Sequence, residues 1–438
     1  MLLRRILKDR RAAVTPMFAL ALIPLIAATG SAIDYTIAAK IRTQLLAAAD
    51  AASIGSVGKS SVALATAATM SSDGPIAAGA TDATKLFNAE LSAQTSYTLG
   101  NVAATVTKSG SAVTSVVNFT AQVPTRFMGL FGITTVSISG SSTATNSLPV
   151  FIDFYLLLDN TPSMGVGATT SDINKMVSNT PDQCAFACHD LSNSNSYYNL
   201  AKSLGVTMRI DVLRTATQQL MDTATSTAVF PNQFRMAIYT FGASAKNAGL
   251  ATIQSLTTNL STAKTSANAI DLMTVPYQNY ADDTDTDFGD VLTDMNGAVP
   301  TPGDGTASSS PLKYVFFVSD GVGDRVNGSP GCPQPVTNGS DPQTGKNYVR
   351  CQEPLNVSYC TTLKNRGIKV AVLYTTYLPL PTNPWYNTWI APFASQIATN
   401  MQSCASPGFY FEVSPSQGIS DAMNALFKKA VSQARLTR

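Results

Sequence analysis

Read for apolar and polar positions, the chain divides into stretches of different period. Positions 151–158 and 314–318 are apolar runs, and each is followed within two residues by an aspartate, Asp159 and Asp320. Runs this short and rich in strand formers predict strands buried on both faces. Positions 234–241 and 368–374 read the same way. Between them, 209–223 carries Ile210, Val212, Leu213, Leu220 and Met221 at helical spacing, and 419–434 predicts a closing amphipathic helix. Strands alternating with helices predict an α/β domain over 148–438, with a mostly parallel, Rossmann-like sheet covered by helices on both faces. Such sheets bind ligands at the carboxyl ends of their strands, which is where Asp159 and Asp320 stand.

The first third of the chain is patterned differently. Positions 117–123 and 135–139 alternate strictly, as half-buried antiparallel strands do, inside a small Ser/Thr-rich α+β region over 34–147. Ahead of it, 12–33 is a stretch of 22 residues without a charge, long enough for a bilayer core that needs about 20. Arg4, Arg5, Lys8, Arg10 and Arg11 precede it, so the positive-inside rule leaves 1–11 as a cytoplasmic tip and exports the remainder. A cleaved signal peptide competes, because Gly30, Ser31 and Ala32 are small; a run longer than the usual 7 to about 15 apolar residues favours a retained transmembrane helix. Beyond it, Ile37, Ile41, Leu45, Ala48 and Ala52 form one stripe, suited equally to packing on the chain's own domain or on a partner helix.

Composition agrees with export. Charged residues make up 13% of the chain, against about 25% in ordinary soluble domains. The formal net charge is +2, and no basic patch interleaved with aromatics argues for nucleic acid as a partner. All six cysteines, Cys184, Cys188, Cys332, Cys351, Cys360 and Cys404, lie beyond the apolar stretch, an even number compatible with three disulfides in an oxidising compartment. Pairing is open from sequence, although Cys184 with Cys188 and Cys332 with Cys351 would each staple a polar insertion. Those insertions, near 169–204 and 323–359, follow strand ends on one edge of the sheet and would shape access to it.

The candidate chemistry sits on that edge. Asp159-Asn160-Thr161-Pro162-Ser163 offers a carboxylate and two hydroxyls at alternate positions, hard oxygen ligands with too little charge to satisfy a divalent cation. Thr286-Asp287-Phe288-Gly289-Asp290 reads as a loop entering a helix, and Asp320-Gly321 ends a strand. These three pieces, in this order, resemble the von Willebrand factor type A family. The resemblance implies a metal-ion-dependent adhesion site. Asp159, Thr161, Ser163, Thr286 and Asp320 would be its ligands to Mg2+, with Mn2+ or Ca2+ as alternatives, and a protein partner would offer an acidic residue to the metal. Thr161 departs from the family's serine but keeps the hydroxyl. The plainer reading is that Asp159 and Asp320 end strands and cap helices.

Other constellations are weaker. Cys184, Cys188 and His189 lack a fourth zinc ligand. His189 is the one histidine and no nucleophile elbow accompanies it, so the chain reads as non-enzymatic. The acidic run 283–287 starts like an EF-hand loop, but Phe288 stands where Gly is needed and Asp294 where the bidentate Glu belongs; a solvated acidic loop is expected there.

A second resemblance covers the beginning of the chain. Arg10-Arg11, the apolar stretch, Ala32-Ile33-Asp34-Tyr35, the Ala-rich helix over 45–52, and Phe127-Met128-Gly129-Leu130-Phe131-Gly132-Ile133 before a Val/Ser-rich strand are similar to the TadE/TadG proteins of Flp pilus assembly. TadG-like members often carry a C-terminal von Willebrand type A domain. The resemblance implies a single-pass component of the bacterial cell membrane, its bulk periplasmic or extracellular, with pilins and other pilus-assembly proteins as partners. Gly30 lies near the end of the apolar stretch, unlike the processing glycine of Flp pilins. A stand-alone adhesin and an envelope scaffold with a vestigial metal site are the competing functions.

Overall fold

The computed structural model describes residues 14–91, 96–185, 190–277, 279–326, 332, 336–377, 386–414 and 418–436. It divides into two compact units, Met1–Leu148 and Pro149–Arg438.

In the first unit a single helix, α1 (Val14–Ser56), runs for 43 residues. The apolar stretch and the striped segment that follows it are therefore one uninterrupted element. Helix α2 (Ala77–Ala89) precedes a meander of β1 (Thr98–Ser109), β2 (Ala112–Pro124) and β3 (Thr135–Ser147), antiparallel throughout. Alternation in β2 has the predicted consequence: Val113, Val117, Phe119, Ala121 and Val123 are buried on one face. Against them lie Ile41, Leu45, Ala48 and Ala52 of α1, with Ile37 half-buried. The stripe thus packs on its own domain, which decides between the two uses open to it. Contact is close because β3 carries Gly140, where a Cβ would stand 2.6 Å from the Phe119 ring and 2.7 Å from Leu46. Two buried hydroxyl pairs, Ser53 with Ser142 at 3.0 Å and Ser56 with Ser115 at 2.8 Å, also join helix to sheet. The earlier part of α1 is different: Met17, Phe18, Leu20, Ile23, Leu25 and Ile26 are exposed. Among the described residues this is the one helix long and apolar enough to cross a membrane.

The second unit is built on β4 (Ile152–Leu158), β5 (Phe234–Thr240), β6 (Ala251–Thr257), β8 (Leu312–Ser319), β12 (Lys369–Thr375) and β13 (Tyr410–Val413), with the small strands β7 and β9 to β11 described below. Their order across a six-stranded sheet is β13-β12-β8-β4-β5-β6. Neighbours from β13 to β5 are parallel, and β6 is antiparallel to β5, so the sheet is mixed, with one reversed edge. Alternate residues of β4 feed two cores. Phe154, Leu156 and Leu158 meet α3 (Arg209–Thr227) and α7 (Ile419–Leu436), while Tyr155 and Leu157 face the cluster that includes α4 (Phe288–Ala298), α5 (Val357–Asn365) and α6 (Ala394–Cys404). Parallel strands buried on both faces need no polar side, which is why they read as continuous apolar runs.

A second, four-stranded antiparallel sheet, ordered β10-β11-β9-β7, joins β7 (Thr284–Thr286), β9 (Val322–Val326), β10 (Val336–Ser340) and β11 (Asn347–Pro354). Its last three strands come from the stretch after Asp320 that the sequence marks as an insertion. Cys332 pairs with Cys351, as anticipated, and Cys360 of α5 pairs with Cys404 of α6. Cys188 and His189 lie outside the described residues, and with them the expected link from Cys184 to Cys188.

Candidate metal centre

Strand β4 continues one hydrogen bond past its end, from the Asp159 N–H to the Val318 carbonyl at 2.9 Å. Leu158 lies opposite Val318 in the parallel register. Asp159 therefore leaves its strand beside Ser319, the residue before Asp320, and the two aspartates converge although 161 positions separate them in a chain numbered throughout from Met1. Both are fully buried.

Local chemistry holds the loop. The Asp159 carboxylate accepts from the Thr161 N–H at 3.0 Å and its hydroxyl at 2.7 Å through one oxygen, and from the Ser319 hydroxyl at 2.5 Å through the other. The Thr161 and Ser163 hydroxyls are 3.1 Å apart. Pro162 starts a single 3-10 turn, Pro162–Gly165, where its missing N–H costs no hydrogen bond. Asn160 points the other way: its amide donates to the Gly242 and Asp271 carbonyls and accepts from the Phe241 N–H, clamping the loop to the end of β5. After Asp320, Gly321 adopts a φ of +77° and the Val322 N–H donates back to the aspartate at 3.3 Å.

Three of these contributors, Asn160, Ser319 and Arg209, are absent from the sequence-based site. Arg209 is the first residue of α3, its N–H held by the Val166 carbonyl, and its side chain is 3% exposed with Nη1 3.8 Å from Asp320 Oδ2. Neither Arg209 Nε nor Asp320 Oδ2 has a hydrogen-bond partner among the described residues. Burial raises the pKa of both aspartates; for Asp320, burial and the neighbouring Asp159 charge push it up to about 7, against the opposing pull of Arg209. Burial also lowers that of Arg209.

Thr286 is placed less directly. It is buried at the end of β7 and lies opposite Asp324 on β9, the strand that starts just after Gly321. Among the described residues no hydrogen bond joins its side chain to Asp159, Thr161, Ser163 or Asp320. The acidic run before it is not the solvated loop expected from sequence. Asp283 is buried and pairs with the Arg350 guanidinium of β11, which also binds Asp324 at 2.9 Å, so the run supplies counter-charge to a buried arginine.

The donor set suits a hard cation. Two carboxylates and two hydroxyls lie together, all the candidate donor atoms are oxygen, and among the described residues one buried carboxylate oxygen of Asp320 is left unsatisfied. Among the described residues no three His, Cys, Asp or Glu side chains are grouped to hold a metal. A cation here would therefore depend on hydroxyls and water for most of its shell.

No protein-family model matches the chain, and no curated protein matches its sequence. Among solved structures, the PilB minor pilin from Streptococcus sanguinis aligns at 14% identity and a TM-score of 0.35, over 77% of this chain and 77% of that one. The vWF domain of the type V pili tip protein Mfa5 from Porphyromonas gingivalis aligns at 10% identity and a TM-score of 0.37, over 66% and 97%. Proximal thread matrix protein 1 from the mussel byssus aligns at 12% identity and a TM-score of 0.32, over 65% of this chain but 47% of its own, so this chain spans less than half of that protein. These are distant likenesses and carry nothing about ligand or partner.

Proposed function

We propose that the chain is a membrane-anchored, non-enzymatic component of bacterial Flp/Tad pilus assembly and adhesion, presenting a divalent-cation-dependent binding domain outside the cytoplasm. The observation that supports it best is the convergence of Asp159, Thr161 and Ser163 with Asp320 at the carboxyl ends of adjacent parallel strands. Thr161 and Ser163 would bind Mg2+ directly, with Asp159 and Asp320 acting largely through water and Thr286 completing the set. When bound, the cation supplies a Lewis-acidic position for a partner's carboxylate. The residues themselves orient that position: Asp159 accepts from the Thr161 hydroxyl, which in turn lies 3.1 Å from that of Ser163, and Asn160 keeps the loop from swinging away from β5. The apolar half of α1 would hold the protein in the membrane with its N-terminus cytoplasmic.

The test is titration of Mg2+ and Mn2+ into the metal-stripped full chain in detergent, alongside adherence of cells producing it. Binding lost in Asp159→Asn together with adherence supports the reading. Normal adherence and pilus assembly in that variant would discard it. One observation favours a second reading, an envelope scaffold that needs no cation. Arg209 already places a buried positive charge beside Asp320, and in that case the wild-type chain binds no divalent ion at all.

A further inference from the structure

The loop 126–133 is held against α1 around Gly30 and Asp34. The Asp34 carboxylate, itself buried, accepts the backbone N–H groups of Arg126 at 3.0 Å, Phe127 at 2.9 Å and Met128 at 2.7 Å. One turn earlier, Gly30 lets the loop come close: a Cβ there would stand 2.5 Å from Phe127 Cβ. Three charge-assisted bonds onto a single carboxylate fix the loop firmly. What it then presents is apolar. The 3-10 turn Met128–Phe131 buries Met128, while Leu130, Phe131 and Ile133 are exposed by 77%, 54% and 48%.

Such a cluster on a water-facing hairpin would be unfavourable, since exposed contiguous apolar side chains mark an interaction surface. Its occupant is indicated by where it is docked. Gly30 and Asp34 bracket the end of the uncharged stretch at Ile33, within about one helical turn of each other at about 1.5 Å per residue. Upstream on the same helix, Met17, Phe18, Leu20, Ile23, Leu25 and Ile26 are exposed and need lipid around them. Downstream, Lys40 is exposed, and Arg126 is exposed at the start of the loop. Apolar and aromatic side chains flanked by cations at the end of a span match the interfacial layer of a bilayer.

We propose that loop 126–133 is a second membrane contact, seating Leu130, Phe131 and Ile133 in the interfacial layer beside the last turn of the apolar helix. It rests on the reading of α1 as a membrane anchor. Lipid covers the loop continuously with the helix, and Asp34 and Gly30 set its depth.

The experiment uses the full chain in vesicles that contain lipids brominated either near the headgroup or near the acyl-chain end. Emission of Phe131→Trp is measured as the excess over wild type, which has two tryptophans, with Phe18→Trp as the depth control. The headgroup-proximal bromolipid should quench the added indole of Phe131→Trp, and the deep one that of Phe18→Trp. Quenching of Phe18→Trp without any quenching of Phe131→Trp overturns the proposal and leaves the anchor standing; a second copy of the chain covering the loop would give that result. Deep quenching of Phe131→Trp overturns the interfacial placement. No quenching of Phe18→Trp removes the anchor and this proposal together. Both positions are more than half exposed, so the larger ring meets no packed core.

Discussion

Strand β4 carries a buried aspartate at each end, and the two are treated in opposite ways. At the amino end Asp153 lies between Arg235 and Lys313 on the neighbouring strands, directly opposite both in register. Arg235 grips it with two bonds of 2.6 and 2.7 Å and Lys313 with one of 2.5 Å, and the carboxylate is 1% exposed. At the carboxyl end two carboxylates share one arginine that stops 3.8 Å short of Asp320, leaving an oxygen and a guanidinium nitrogen without partners among the described residues. The same residue type on the same strand is thus a closed charge cluster at one end and an open one at the other. Burial and charge are common to both ends; the unsatisfied atoms and unbalanced charge at the carboxyl end are what the proposed cation would answer.

The largest expected effect breaks the closed end. Asp153→Ala leaves Lys313 buried and Arg235 without its carboxylate, and should cost about 3–5 kcal/mol in denaturant unfolding; a loss below about 1 kcal/mol would mean that water reaches the cluster and that the two ends are alike. At the open end, Asp159→Asn should weaken Mn2+ binding about a hundredfold, roughly 2.7 kcal/mol. Unfolding of that variant in chelator should stay within about 1 kcal/mol of wild type, since it loses a buried charge and hydrogen bonds together. Substantial destabilisation without change in Mn2+ affinity would make Asp159 structural. Arg209→Gln removes the competing cation and should tighten Mn2+ binding about tenfold, roughly 1.4 kcal/mol, measured by calorimetry; weaker binding would show that Arg209 helps the ion. Thr286→Ala should have the smallest effect, about a threefold loss of affinity, under 1 kcal/mol, because its hydroxyl is joined to none of the other four residues by a described hydrogen bond.

The contrast also explains what could be read in advance. Asp159 and Asp320 were legible because each interrupts an apolar strand at its end, and parallel pairing brings such ends together. Asp153 was not: one carboxylate within 151–158 gives no hint that Arg235 and Lys313, 82 and 160 positions away, are its neighbours. Arg209 passed for an ordinary helix start, because its role depends on a long-range approach to Asp320. The mostly parallel order was visible in the β-branched and aromatic runs, whereas the reversed edge β6, with its half-exposed pattern, looks like any polar segment. The small sheet of β7 and β9 to β11 was hidden for another reason. The stretch 323–359 around three of its strands is rich in Asn, Gly and Pro and has no sustained period, and the sheet's order is fixed by cross-strand pairing, a buried arginine and the Cys332–Cys351 link. In the first unit the alternation of β2 sufficed, but whether the α1 stripe met its own sheet or another chain depended on Gly140 and the serine pairs, features without a periodic signature.

Because α1 passes without a further proline from Pro24 in its exposed apolar half into the stripe that packs on β2 and β3, the segment after Pro24 forms a lever about 50 Å long at the rise of an α-helix. A jointed anchor would let a domain swivel above the bilayer and absorb a sideways pull. Here the softened point of the helix is Pro24, inside the apolar half, where a backbone N–H is missing; in the proposed anchor the segment beyond Pro24 therefore turns with the first unit, and tension applied to that unit arrives in the membrane as torque at the proline.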